Sequence, residues 1–370
     1  MGYSKFIRWL GVVFISFVSL TSWVLGNEKN SLPPVGLPPV PIPIDNPQTQ
    51  DKISLGKRLF HDPQLSANGH ISCATCHIAK YFLSDGKRVA EGLKGQRGFR
   101  NTPTLLNVAY LSSQFWDGRR ISLEQQVLGP LLNPIEHGLT SNDEIINIIR
   151  RDVSYIREFK KAFKITSAEI SVGHITRAIA SFERTLIAGD SPFDRYMYAG
   201  DKNALSESAS RGLVLFRTRA KCTACHLIEQ NYALFSDNQF HRLGIEFKRI
   251  ESKLATLTTH LSGLGISVRE ELLMHDPDIA ELGRFVITLN PADIGAFKTP
   301  SLRNVAVTAP YMHNGGVNTL EEAVDMEIYY RGVEANRPLI LTPQEKSDLV
   351  EFLKSLTSPR DKLEAIADPD

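Results

Sequence analysis

The sequence predicts a mainly α-helical protein whose two halves repeat one another. Three observations support this. Apolar residues recur at helical spacing in several stretches that begin with capping residues. Three short blocks return in the same order later in the chain. Long alternating strand patterns are absent. With 370 residues, 42% hydrophobic and 22% charged, the chain is suited to two packed domains. Lysine plus arginine (42) balance aspartate plus glutamate (41), so composition gives no reason to expect a nucleic-acid partner.

In chain order, Lys5 and Arg8 precede an apolar stretch from Trp9 to about Leu25, closed by Gly26. Residues 1–26 therefore read as an export signal, with an uncleaved membrane anchor as the alternative. No cysteine follows this stretch before Cys73, which excludes a lipid-modified N-terminal cysteine. Residues 27–50 are proline-rich and read as an extended linker or a surface wrap. The first domain is expected over 51–195, the second over 196–358, and a tail over 359–370.

The repeat fixes the two halves. Gly56-Lys57-Arg58-Leu59-Phe60 corresponds to Gly212-Leu213-Val214-Leu215-Phe216. Thr102-Pro103-Thr104-Leu105 corresponds to Thr299-Pro300-Ser301-Leu302, and Ser122-Leu123-Glu124 to Thr319-Leu320-Glu321. The cysteine motifs are offset by 149 positions (73 to 222) and the Thr-Pro blocks by 197 (102 to 299). The second half thus carries 197 − 149 = 48 extra residues between His226 and Phe297. Single helices are predicted over 143–163, across Ile175, Ile179 and Phe182, and from the capping box Thr342-Pro343-Gln344-Glu345 through Leu356.

All four cysteines fall in Cys73-x-x-Cys76-His77 and Cys222-x-x-Cys225-His226. Two thiols three positions apart on a helical turn reach the vinyl groups along one porphyrin edge, and the adjoining histidine meets the iron. A zinc site would need further Cys or His at matching spacing, and none is evident. The motifs predict two covalently attached haem c groups, with His77 and His226 as proximal ligands.

With Arg100-Asn101-Thr102-Pro103, Trp116-Asp117-Gly118-Arg119, Gly129-Pro130, Lys298-Thr299-Pro300 and Tyr311-Met312-His313-Asn314-Gly315, the chain resembles the bacterial di-haem cytochrome c peroxidase family, including its MauG-like branch. The resemblance spans residues 40 to 358. It implies a peroxidatic haem in the first half and an electron-transfer haem in the second. It assigns Glu136 as the distal acid–base carboxylate, with Gln126 and Pro130 in the same pocket, and Trp116 as a bridge between haems. Arg303 and His313 fall among the cofactor-binding residues, His313 by hydrogen bonding to a propionate. Asn101, Thr308 and Pro310 coincide with calcium ligands, so one bound calcium ion is expected.

Two departures bear on chemistry. Members requiring reductive activation carry a distal histidine that would fall near Leu93, yet residues 78–114 contain no histidine. The first haem is therefore expected to keep an open face, as in the MauG-like branch. The sixth ligand of the second haem is Met326 or Tyr329, with Met326 preferred for its smaller offset and Met312 as a third candidate. His61, His70, His137, His174, His241, His260 and His275 receive no role.

The expected function is periplasmic reduction of hydrogen peroxide with electrons from a small cytochrome c or cupredoxin. The alternatives are MauG-like oxidation of a partner protein's side chains and a non-catalytic electron carrier. A homodimer is expected by analogy with family members.

Overall fold

The computed structural model describes residues 33–334 and 338–367; the apolar segment at residues 1–26 lies outside them. No helix among the described residues is long and apolar enough to cross a membrane. Helices dominate, and the one named sheet is a two-residue antiparallel ladder pairing Phe240 with Lys298 and His241 with Phe297.

Each half is organised on a crossed helix pair. The Gln50–His61 helix packs on Val172–Glu183, and the Glu207–Arg217 helix on Pro343–Lys354. The matched glycines explain the close crossings. A Cβ at Gly56 would stand 1.9 Å from the Ala178 carbonyl oxygen, and one at Gly212 would stand 1.9 Å from that of Asp348. Only glycine lets the backbones meet this closely. Around the first pair Leu55, Leu59, Ile145, Ile149, Phe159, Ile175 and Ile179 form one core. Around the second, Phe193, Phe216, Phe235 and Phe352 meet largely edge to face, with ring centroids 4.9–6.4 Å apart.

The stretch expected to form one helix over 143–163 is two, Asn142–Arg151 and Val153–Phe163. Asp152 separates them with an extended backbone (φ −103°, ψ 111°). Its carboxylate accepts the Ser154 N–H at 2.7 Å, and its other oxygen takes Arg58 at 2.7 Å. An aspartate that can cap is more stable between helices than within one, and the break leaves Val153 exposed. The capping box at Thr342 forms as expected and opens Pro343–Lys354.

Residues 33–49 run as a strap over both halves. The Gly36 carbonyl accepts from Arg303 and from the Ala233 N–H, the Pro38 carbonyl from the Tyr110 hydroxyl, and buried Asn46 bonds Lys52 and Glu124. Beneath the strap the Arg303 guanidinium forms a bidentate pair with Asp194 at 2.9 Å for each contact, both side chains being 1% exposed or less.

The extra residues of the second half leave the body at His241 and return at Phe297, pinched by the short ladder. They form helices Leu254–Ser262, Ile266–His275 and Pro277–Glu281 around a core of Ile250, Leu261, Ile279, Leu282, Phe285 and Val286. This insertion packs against the first half. Glu270 holds Arg120 in a bidentate pair at 2.6 and 2.7 Å, and Arg284 donates to the Asp117 carbonyl at 3.0 Å.

Candidate haem sites and the wall between them

The cysteine motifs sit on short helical turns. Ser72 and Thr75 cap the Cys73–Cys76 turn reciprocally. The Nδ1 of His77 lies 2.9 Å from the Leu83 carbonyl, and that of His226 lies 2.8 Å from the Phe235 carbonyl. A carbonyl oxygen can only accept, so Nδ1 carries the proton in both rings and the Nε2 lone pair is left for a metal. Burial pushes His77 below its ordinary value and His226 down to about 4, which keeps both imidazoles neutral and able to ligate. Burial pushes the Cys76 thiol up to about 11 and Cys222 to about 12, the reverse of what a redox dithiol needs.

Cys76 and His77 open into a cavity of about 800 Å³. Gln126, Gly129, Pro130 and Glu136 line it, with Phe115, Trp116 and Arg119. The Leu123–Leu132 helix carries Gln126 and Pro130, and the turn after it presents Glu136. Asn133 donates from Nδ2 to the Glu136 carboxylate at 2.6 Å. Burial raises the Glu136 carboxyl above its ordinary value, against the opposing pull of Arg119 and Asn133. The other carboxylates at this cavity have cationic partners: Asp117 with Arg119, Glu91 with Lys87 and Glu270 with Arg120.

His77 is the one histidine among the described residues lining this cavity. Leu93, at the position of the distal histidine, is not in the wall. Its N–H donates to the Ile135 carbonyl at 2.7 Å, and its side chain lies against Gly138. The insertion supplies Glu270, Leu273 and Met274 to the same cavity, so the second half helps enclose the first half's site.

Cys222, Cys225 and His226 open into a second cavity, of about 530 Å³. Trp116 and the two Thr-Pro blocks, around Pro103 and Pro300, line both cavities and so form the wall between them. Trp116 is fixed in this wall. Its Nε1 donates to the Asn101 carbonyl at 3.0 Å, and its own carbonyl accepts the Lys298 N–H at 2.8 Å. The same local bend occurs in each half: Gln114 bridges Arg120, Tyr311 bridges Val317, and Phe115 and Met312 both adopt positive φ (66° and 71°).

Met326, the preferred sixth-ligand candidate, does not line the second cavity. The Leu320–Glu334 helix turns Leu320, Ala323, Val324, Glu327, Ile328 and Arg331 to the second cavity. One residue advances a helix by about 100°, so Met326 falls off this face and Tyr329 is 60% exposed. Of the three sixth-ligand candidates, only Met312 is in the wall. Arg303 lines the first cavity and His313 the second, each with its side chain engaged by protein groups. The Arg303 guanidinium is committed to Asp194, Gly36 and Ala233. His313 Nε2 is bonded to Glu281 of the insertion at 2.8 Å, with its ring stacked 3.8 Å from that of Phe297. Asn101, Thr308 and Pro310 each line the second cavity, and the Asn101 N–H donates to the His313 carbonyl at 2.9 Å.

These cavities suit porphyrins. Each joins a Cys-x-x-Cys-His motif to a largely apolar recess, and the first also holds a cation without an anion. Arg100 is half-buried, its Nη1 is buried without a partner, and desolvation pushes the guanidinium down to about 10. A haem propionate is the charge such a group would meet. Sequence reasoning assigned no role to Arg100, Lys298 or Glu281, because their significance lies in burial and in partners remote along the chain.

Comparison with known proteins agrees with this geometry. A family model described as di-haem cytochrome c peroxidase matches residues 50–203. The chain is 38% identical to cytochrome-c peroxidase IdrP1 of Pseudomonas sp. (strain SCT), over 88% of this chain and 86% of that protein. It is 34% identical to the methylamine utilization protein MauG of Methylophilus methylotrophus, over 90% of each. Among solved structures, a MauG-like protein associated with microbial copper homeostasis superposes with a TM-score of 0.70 at 33% identity, covering 88% of this chain and 94% of that one.

Proposed function

The chain belongs to the di-haem cytochrome c peroxidase family and carries two haem c groups; on that premise we propose that it reduces hydrogen peroxide in the cavity above His77, with electrons entering through the cavity above His226. The observation that carries this reading is the placement of Glu136 in the first cavity, beside Gln126 and Pro130 and without a cationic partner at hydrogen-bonding distance. Haem, held by Cys73, Cys76 and His77, would supply the redox-active iron for peroxide reduction. Glu136 then accepts the proton of the near oxygen and returns it to the far one as the O–O bond breaks. Asn133 orients the carboxylate, and burial keeps its affinity for a proton high enough for both transfers. Two electrons and two further protons complete the conversion of peroxide to two waters.

Trp116 is proposed as the electron path, since it lines both cavities and its ring is held by the Asn101 carbonyl. The electron donor is proposed to be a small cytochrome c or cupredoxin, and the compartment the periplasm. Calcium is proposed at Asn101, Thr308 and Pro310. Carbonyl oxygens suit that ion, and Asn101 directs Nδ2 to the Lys87 and Arg88 carbonyls, leaving Oδ1 as the ligand.

A second reading is MauG-like oxidation of a partner protein, favoured by the absence of any histidine other than His77 among the described residues lining the first cavity. The deciding experiment adds peroxide to the purified two-haem protein with a reduced small cytochrome c. Steady oxidation of that donor supports the peroxidase. A spectral response to peroxide without donor turnover supports the second reading. No response to peroxide at all refutes both and leaves an electron carrier.

A further inference from the structure

The wall between the cavities contains a charge that neither haem attachment nor proton transfer uses. Lys298 follows Phe297 in the short ladder and precedes the second Thr-Pro block. It is 7% exposed and lines both cavities, and its Nζ has no hydrogen-bond or ion-pair partner among the described residues. Its position is fixed at the backbone, where its N–H donates to the Trp116 carbonyl at 2.8 Å. No carboxylate acts on it, desolvation being the one cause that displaces its proton affinity, and Asp117 of the first cavity is engaged with Arg119. A largely desolvated ammonium without an anion is costly, and no protein anion offsets it among the described residues.

The anion has to come from what the cavities bind. Haem c presents carboxylate-bearing propionates, and Lys298 stands where the two cavities adjoin. We propose that Lys298 receives a haem propionate at this junction and raises the reduction potential of the haem that bears it. Half-buried Arg100 lines the first cavity, and its buried Nη1 has no partner, so the wall offers two cationic contacts to propionates. A positive charge nearby favours the state with the extra electron, so removing it must lower the potential. Lys298 acts here as a positioning residue through the cofactor.

This inference rests on the two-haem reading, and the test separates the two. Wild type, Lys298→Met, Lys298→Gln and Lys298→Arg are purified, and attached haem is counted by the pyridine haemochromogen assay. Fewer than two haems in wild type would refute the two-haem reading itself. With two haems present, spectroelectrochemical titration should show a downward shift in at least one haem for both neutral variants, and a value close to wild type for Lys298→Arg. Unchanged potentials at both haems in the neutral variants overturn the proposal. Should those variants fail to accumulate, resonance Raman spectra of wild type and Lys298→Arg decide it. A propionate-bending band that moves between them supports the contact, and an identical band refutes it.

Discussion

Replacing Glu136 by glutamine keeps the shape of the side chain and removes its ability to take a proton. The other carboxylates at the first cavity are ion-paired, so the described structure holds no ready substitute. Positioned acid–base groups contribute roughly 10²- to 10⁴-fold to rate. At about 1.4 kcal/mol per decade this is a barrier increase of about 3–5.5 kcal/mol. The fall should appear in kcat/KM for peroxide, measured by stopped-flow on the two-haem protein, while haem content and resting spectrum stay as in wild type. The pH profile adds a second signature. Glu136 must be ionised to accept the first proton, and burial raises its carboxyl above the ordinary range. Wild-type kcat/KM should therefore decline as pH falls through that raised value, and Glu136→Gln should lack this limb. A variant within threefold of wild type, or one retaining the acid limb, would refute the role of Glu136.

Three other outcomes follow from the packing. Glu183 is buried with Oε2 unpartnered, and burial pushes its carboxyl up to about 8 from an ordinary 4.5. The folded state holds this proton where the unfolded chain has lost it, so stability should fall as pH rises from about 4.5 to about 8. Glu183→Gln should reduce that slope, by up to about 1.4 kcal/mol per pH unit, and a thermal melt at pH 8 no higher than wild type would oppose this. Gly56→Ala and Gly212→Ala should each cost about 1–3 kcal/mol or more through overpacking at the crossings, read as a lowered denaturant midpoint. Met326→Ala should leave the spectra of both haems unchanged. Loss of a sulfur-to-iron band would place Met326 on the iron and require the Leu320–Glu334 helix to turn by about 100°.

The parts of the site that depend on local spacing were legible in the sequence. The two Cys-x-x-Cys-His turns, the Gln126–Glu136 segment and Trp116 need only their neighbours in the chain to be recognised, and they line the cavities together. Failures came where register or distance decides. Met326 and Glu327 differ by one position, yet only Glu327 faces the cavity. Asp152 suits a helical stripe by its position, but its capping bond to Ser154 makes it a boundary. Arg303 lines the first cavity, and its guanidinium also meets Asp194, 109 positions away, a pairing no local pattern shows. Burial of Arg100 and Lys298 arises from chain segments that no local pattern connects.

The insertion changes what each half can do alone. Glu270, Leu273 and Met274 belong to the second half yet help cover the recess above His77, and Glu270 grips Arg120 of the first half. A fragment ending at residue 195 would keep Cys73, Cys76, His77 and Glu136 but lose this cover, along with the Thr-Pro block around Pro300 that backs the recess. The recess of such a fragment would then be more open to solvent than in the intact chain. The first cavity is thus built from residues of both halves of the chain.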